Sequence, residues 1–378
     1  MVDCLVIGGG LIGLLCAREL RQAGLAVTIL EQGFCGRESS WAGGGILSPL
    51  YPWRYPEAVT ALAKWSQARY PALVQTLAAQ TGIDPEWQKT GLLILDMDEA
   101  AAAESWARAQ GYVLERVNAA DLRQLEPALG ELPESALWLP EVAHVRNPRL
   151  LKSLKKDLLA RGVVIREQTP VRELVTADGR VRGVRLDEGL LPAARVLVAG
   201  GAWSGKLLAE TGIELPVRPV RGQMLLFRAR PGQVTRMVLS RDRYVIPRRD
   251  GRVLVGSTLE ETGFDKSTTH SARAELVVEA RRLIPALADC ELEHHWAGLR
   301  PASPRGIPYI GVHPRLENLY VNCGHFRNGV VLGLASARLL ADLLLGREPI
   351  LSLDACVPRA SRPPAGAEKD APVCSPVD

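Results

Sequence analysis

The chain is poor in the residues that would define several classes of function. Its seven cysteines (Cys4, Cys16, Cys35, Cys290, Cys323, Cys356 and Cys374) are odd in number and include no C-x-x-C pair. Neither a disulfide framework nor a thiolate metal site is expected, and the pattern is that of reduced thiols in a cytosolic protein. The six histidines never fall at ligand spacing with Cys or Asp. His294 and His295 are adjacent, so on a strand they would face opposite ways, and no metal site is expected. Charge of one sign is nowhere concentrated: 46 Lys and Arg are interspersed with 42 Asp and Glu for a net +4, which argues against a nucleic-acid partner. Long apolar runs are missing as well. The most apolar late stretch, Val330 to Leu345, contains Arg338 and Asp342 and is short for a bilayer span. The first residues lack a basic segment and a cleavage site. A soluble, cytoplasmic protein with no membrane partner is expected. At 378 residues and 47% hydrophobic content, two domains with a substantial core are the prior.

What is present is concentrated at the start. Cys4 to Ile7 is a short apolar strand, followed by Gly8-x-Gly10-x-x-Gly13. Leu11, Leu14, Leu15 and Leu20 then recur at helical spacing, and a second strand, Val27 to Leu30, ends in Glu31. This order is a βαβ dinucleotide-binding unit. Gly8 permits the turn, Gly10 lets the backbone approach a pyrophosphate, and Gly13 lets the helix pack on the strand. The helix start offers N–H groups and partial positive charge to phosphates. Glu31 is placed to accept hydrogen bonds from ribose hydroxyls and to disfavour a 2′-phosphate, so NADP is not expected.

A second glycine-rich passage follows at Ser39-Ser40-Trp41-Ala42-Gly43-Gly44-Gly45-Ile46-Leu47, where three glycines allow close approach to a flat or charged group. Two such passages suit a long ligand, with pyrophosphate at one and a flavin at the other. No second G-x-G-x-x-G occurs, so a nicotinamide is not the expected oxidant. Helices are predicted over Pro56–Thr81, Glu99–Gln110, Asn118–Pro127, Asn147–Arg161 (with Asn147 as cap), Ser271–Ile284 and Val330–Leu345. Strands are predicted over Thr90–Leu95, Val163–Ile165, Arg195–Ala199, Val217–Phe227, Arg243–Pro247, Val253–Ser257, Cys290–Leu299 and Leu319–Asn322. A hairpin spans Pro170–Leu186 and turns at Ala177-Asp178-Gly179. From Pro358 to Asp378 the composition predicts disorder.

Gly298-Leu299-Arg300-Pro301 and Gly324-His325-Phe326-Arg327-Asn328-Gly329 complete a series that makes the chain similar to the D-amino-acid oxidase superfamily of FAD enzymes, in particular its glycine oxidase branch. The similarity runs from about residue 3 to about residue 346. It implies an α/β fold: a Rossmann-type FAD-binding domain of glutathione-reductase-like βαβ type, discontinuous over 1–85, 145–215 and 320–348. A second, mainly antiparallel mixed-sheet substrate domain would cover 86–144 and 216–319. The implied reaction is oxidative deamination of glycine or a related small amino acid, with hydride transfer to FAD and O2 reduced to H2O2. A place in making the thiamine thiazole and a homotetrameric assembly are implied in the same way.

The resemblance also implies site residues. Arg300 would bind the substrate carboxylate, a task suited to a guanidinium's paired donors. Arg327 would reach substrate or flavin, or cap loop carbonyls, and Tyr244 would line the carboxylate site. The FAD contacts would come from Gly8, Gly10, Ile12, Gly13, Glu31, Gln32, Ser39, Ser40, Gly44, Gly45, Ile46, Val171 and Gly200. The stretch His325, Phe326, Arg327, Asn328, Gly329, Val330 and Val331 would face the flavin, with the His325 ring set against the cofactor rather than acting as a base. No side-chain base is demanded. Two other activities fit the same motifs: a quinone-linked D-amino-acid dehydrogenase, and a flavin enzyme acting on a modified-nucleoside amine.

Overall fold

The structure is a computed structural model that describes residues 2–130 and 132–359. The stretch 360–378, most of the segment predicted to be disordered, lies outside the described residues. Among the described residues, three sheets organise the fold. The first two strands, β1 (Cys4–Ile7) and β2 (Val27–Leu30), form where the sequence is continuously apolar, as expected of parallel strands buried on both faces. They pair in parallel with each other, and outward with Val196–Val198 and Val164–Arg166. Strands Leu316–Cys323 and Tyr309–His313 complete six, the last being antiparallel.

The period-2 alternation of side chains divides this sheet between two cores. Cys4, Val6, Val27, Ile29 and Leu197 join one cluster with helix α1 (Leu11–Gln22) and the C-terminal helix Gly329–Leu344. Leu5, Ile7, Leu30, Val196 and Val198 join the other, beneath the three-stranded sheet Glu173–Ala177, Arg180–Leu186 and Gly189–Pro192. That hairpin turns at Asp178 and Gly179, with φ of 51° and 69°, the left-handed pair a tight two-residue turn requires. A buried pair ties α1 to helix Asn147–Ala160: Arg18 Nε donates to Asp157 Oδ2 at 3.1 Å, and Arg161 Nε reaches Asp157 Oδ1 at 2.8 Å.

The third sheet has eight strands in the order Glu291–Ala302, Arg218–Arg228, Arg252–Gly256, Arg243–Pro247, Met237–Ser240, Leu92–Ile94, Ser135–Leu139, Glu115–Asn118. All neighbours are antiparallel except Met237–Ser240 and Leu92–Ile94. The chain re-enters the six-stranded sheet at Tyr309 rather than at residue 320, because the antiparallel partner of Leu316–Cys323 is its own preceding strand.

Two expectations fail locally. Pro56–Thr81 is two helices, Glu57–Gln67 and Tyr70–Thr81. Pro71 lies in the first turn of the second, where its ring is tolerated; a continuous helix would drive it into the carbonyl of Gln67. Asn147 is the first helical residue rather than the cap, and its side chain does not cap at all. Its Nδ2 donates instead to the carbonyls of Ser40 and Gly43 at 2.8 and 3.0 Å.

One tight joint in the fold is between β1 and α1. A Cβ on Gly13 would lie 1.9 Å from Gly8 O and 3.3 Å from Val6 Cγ1. Gly13→Ala should therefore push α1 off the strand and cost roughly 1–3 kcal/mol, lowering the thermal midpoint by several degrees. A melt that superimposes on that of the original protein would show that the joint has slack.

Candidate active site

At the C-terminal ends of β1 and β2 the two glycine passages meet the eight-stranded sheet around a cavity of about 570 Å³. The βαβ end is built by backbone. Gly8 turns with φ of 111°, and a Cβ there would meet Ala199 O at 2.4 Å. Helix α1 opens with no side-chain cap from its own N-cap residue, Gly10. Ser40 Oγ takes the Leu11 N–H at 2.9 Å instead, so the second glycine passage is fastened to the first. Glu31 is buried and holds the turn: Oε2 accepts from Gly9 N at 2.7 Å and Oε1 from Gly33 N at 2.9 Å. Burial raises its pKa, and these two N–H groups oppose the rise. The carboxylate also lines the cavity, with lone-pair capacity left for a hydroxyl.

The middle of the cavity is the glycine loop 43–45. Gly45 has φ of 80°, and a Cβ on it would be 2.1 Å from Val145 O. A Cβ on Gly44 would press against Ile246 Cδ1 at 2.6 Å and Tyr244 Cε2 at 3.2 Å. The residue that fastens this loop is Arg248, which is 5% exposed. Its Nη2 donates to Gly44 O at 2.7 Å, while Nη1 faces Val145 O at 3.0 Å and His144 Nδ1 at 2.9 Å. Burial lowers its pKa to about 10; burial, followed by Arg248 and Arg249, pushes His144 well below the ordinary histidine value. Neutral His144 can therefore accept the arginine's proton-bearing donor. Sequence reading missed Arg248, Asn147 and His144. The signal for Arg248 was present, since it continues the alternation of Tyr244 and Ile246 past the strand end.

At the far end stands Arg300, half-buried on strand Glu291–Ala302. It donates to Thr258 O at 3.1 Å and Ser257 Oγ at 2.6 Å. Among the described residues it has no carboxylate partner. Gly222 makes its position possible: a Cβ there would sit 2.0 Å from Arg300 Nη1. Burial lowers the Arg300 pKa most; Tyr244 opposes that and neighbouring Arg327 adds to it. Tyr244 is buried, and its hydroxyl lies 3.2 Å from Met224 Sδ.

The loop before the C-terminal helix closes the cavity, with Gly324 and Phe326 both at positive φ, 79° and 47°. His325 is buried, its Nε2 lies 3.0 Å from Ser336 Oγ, and burial drops its pKa to about 3. It is neutral at physiological pH and engaged with the helix. Asn328 Nδ2 is buried without a partner among the described residues.

Of the residues expected at the site, Gly8, Gly10, Ile12, Glu31, Gln32, Ser39, Ser40, Gly44, Gly45, Ile46, Val171, Gly200 and Tyr244 line this one cavity. Arg300 and the run from His325 to Val330 line it too. Gly13 and Val331 do not: Gly13 lies behind the turn against Gly8, and Val331 is packed into the core under α1. No group of three or more metal-ligating side chains occurs among the described residues, and no helix among them is long and apolar enough to cross a membrane. An extended cavity with backbone-lined turns at one end, a glycine floor in the middle and a buried orphan amide donor fits an FAD. Glu31→Ala should weaken FAD retention about tenfold to a hundredfold, because one charge-assisted bond to a ribose hydroxyl, worth roughly 1.5–3 kcal/mol, is lost. Fluorescence titration of the apoprotein with FAD checks this, and an unchanged affinity would confine Glu31 to closing the strand end.

Comparison with known proteins agrees with the geometry. The family profile described as FAD dependent oxidoreductase matches residues 3–343. The chain is 52% identical over 347 residues to the glycine oxidase of Pseudomonas aeruginosa, covering 92% of this chain and 95% of that one. It is 33% identical to the bifunctional protein ThiO/ThiG of Synechocystis, covering 92% of this chain and 52% of that longer protein. The crystal structure of glycine oxidase from Geobacillus kaustophilus superimposes with a TM-score of 0.88 at 29% identity, over 94% of this chain and 98% of that one.

Proposed function

The chain belongs to the FAD-dependent oxidoreductase family, and on that premise we propose that it is a glycine oxidase: it oxidises glycine, or a small relative such as sarcosine, to the 2-oxo acid with release of ammonia or amine. Bound FAD would supply the hydride acceptor, and its reoxidation by O2 gives H2O2. The observation that carries the substrate class is Arg300, a cation facing the cavity whose partners are a carbonyl and a hydroxyl. A guanidinium set this way has charge to spare for a carboxylate, and its planar fork fixes the acid's orientation. With the carboxylate on Arg300, the α-carbon would lie in the same cavity as the glycine loop, where Gly44 presents no side chain.

Loss of one α-hydrogen as hydride needs no protein base if the free amine is the reacting form, because the nitrogen lone pair forms the imine. The nearest histidine, His325, is bonded to Ser336 and is reserved for holding the loop. Gly8, Gly10, Glu31, Gln32, Ser39 and Ser40 would hold the adenosine and pyrophosphate portion, with Val171 and Gly200 beside it. Gly44, Gly45, Ile46 and the run from His325 to Val330 would surround the flavin; the start of helix Gly329–Leu344 brings partial positive charge there. A cytoplasmic, homo-oligomeric enzyme that supplies the imine for the thiamine thiazole completes this reading. The 33% identity to a ThiO/ThiG protein supports the pathway role.

Arg300→Lys should lower kcat/KM for every amino acid tested by about tenfold to a hundredfold, the loss of one charge-assisted bond, and Arg300→Ala should lower it further. An amine without a carboxylate should be indifferent to either change. Peroxide release measured on a substrate panel decides the matter; equal losses with and without a carboxylate would move the anchor away from Arg300.

A further inference from the structure

Two arginines, Arg300 and Arg327, line the far end of the cavity, and their surroundings differ. Arg300 bonds to neutral groups. Arg327 Nη1 lies 3.6 Å from Asp242 Oδ1, with the two side chains only 13% and 25% exposed. The carboxylate is brought there by an unusual turn. Arg241 and Asp242 form the two-residue connection between Met237–Ser240 and Arg243–Pro247, in register Leu239↔Tyr244. Both residues are left-handed, with φ of 47° and 62°, in a turn that ordinarily favours Asn-Gly. The conformation is held from outside. Asp96 accepts from Arg241 N at 2.9 Å, and the Tyr51 hydroxyl accepts from Asp242 N at 3.3 Å while donating to Asp96. A disfavoured turn tied down by two buried or half-buried side chains fixes the direction in which Asp242 projects.

We propose that Asp242 sets substrate specificity: by neutralising Arg327 it leaves Arg300 as the cationic anchor at this end of the cavity, and so restricts the enzyme to amino acids bearing a single carboxylate. This rests on the oxidase reading above. An N-substituted glycine with a second carboxylate would otherwise meet two arginines that face the same space. With Asp242 present, its second acid meets an ion pair already made, and an added anion is repelled by the first.

Asp242→Asn tests this without disturbing the turn, because Asn tolerates the left-handed conformation at least as well. The readout is the ratio of kcat/KM for iminodiacetate to that for glycine, by peroxide release. It should rise about tenfold, the worth of one new charge-assisted bond at the low end of its range, and adding Arg327→Gln should remove the gain. A purely structural Asp242 would lower both activities in parallel, and an unchanged or falling ratio overturns the proposal. A second measurement does not depend on turnover: protection of the holoprotein against thermal unfolding by malonate relative to acetate. That protection should grow in Asp242→Asn and not in the double variant; equal protection in all three overturns the inference. Failure of the original protein to oxidise glycine, with the malonate shift intact, would instead refute the oxidase reading.

Discussion

The site depends on one constraint, the confinement of the Gly44 backbone between two sheets. On one side Asn147 and Arg248 take the carbonyls of Ser40, Gly43 and Gly44. On the other the cavity begins. Burying the Arg248 guanidinium costs several kcal/mol, and its donors to two carbonyls and an imidazole offset that cost. Arg248 follows directly on the strand that carries Tyr244, and Asn147 opens a helix that packs on α1. The loop therefore registers the substrate-facing sheet against the nucleotide-binding sheet. Moving it would shift the floor of the cavity relative to Arg300 at one end and Glu31 at the other.

Electrostatics then divide the labour along the cavity. The βαβ end offers N–H groups and one buried acid, which suits hydroxyls and phosphates. The far end offers two cations, one compensated by Asp242 and one not. The histidines near this path, His144 and His325, are both held neutral by burial. The protein thus contributes orientation and fixed charge rather than proton-transfer groups, in keeping with chemistry carried by a cofactor.

The first thirty residues were legible because each signal there is local: apolar strands, glycines at fixed offsets, a helical repeat and a terminal acid. The strand Arg243–Pro247 and the cap at Asn118 were legible for the same reason. Pro71 was a local signal that went unread. What could not be read is what long-range pairing decides. The register that sets Gly222 diagonally beside Arg300 joins segments some eighty residues apart. The same holds for Asn147 turning from its helix to the glycine loop, and for the early return of the chain at Tyr309. Val331 belonged to the right helix but its core face, a matter of one residue in a 3.6-residue repeat.

A cavity that holds FAD and delivers glycine to it must show the substrate's effect in the flavin itself. The direct measurement is the absorption spectrum of the purified protein mixed with glycine in the absence of oxygen. The protein should be yellow, its flavin band bleaching on mixing and returning when oxygen is admitted, with peroxide formed in equal amount. A colourless protein, or a flavin band that glycine leaves unchanged, would contradict it.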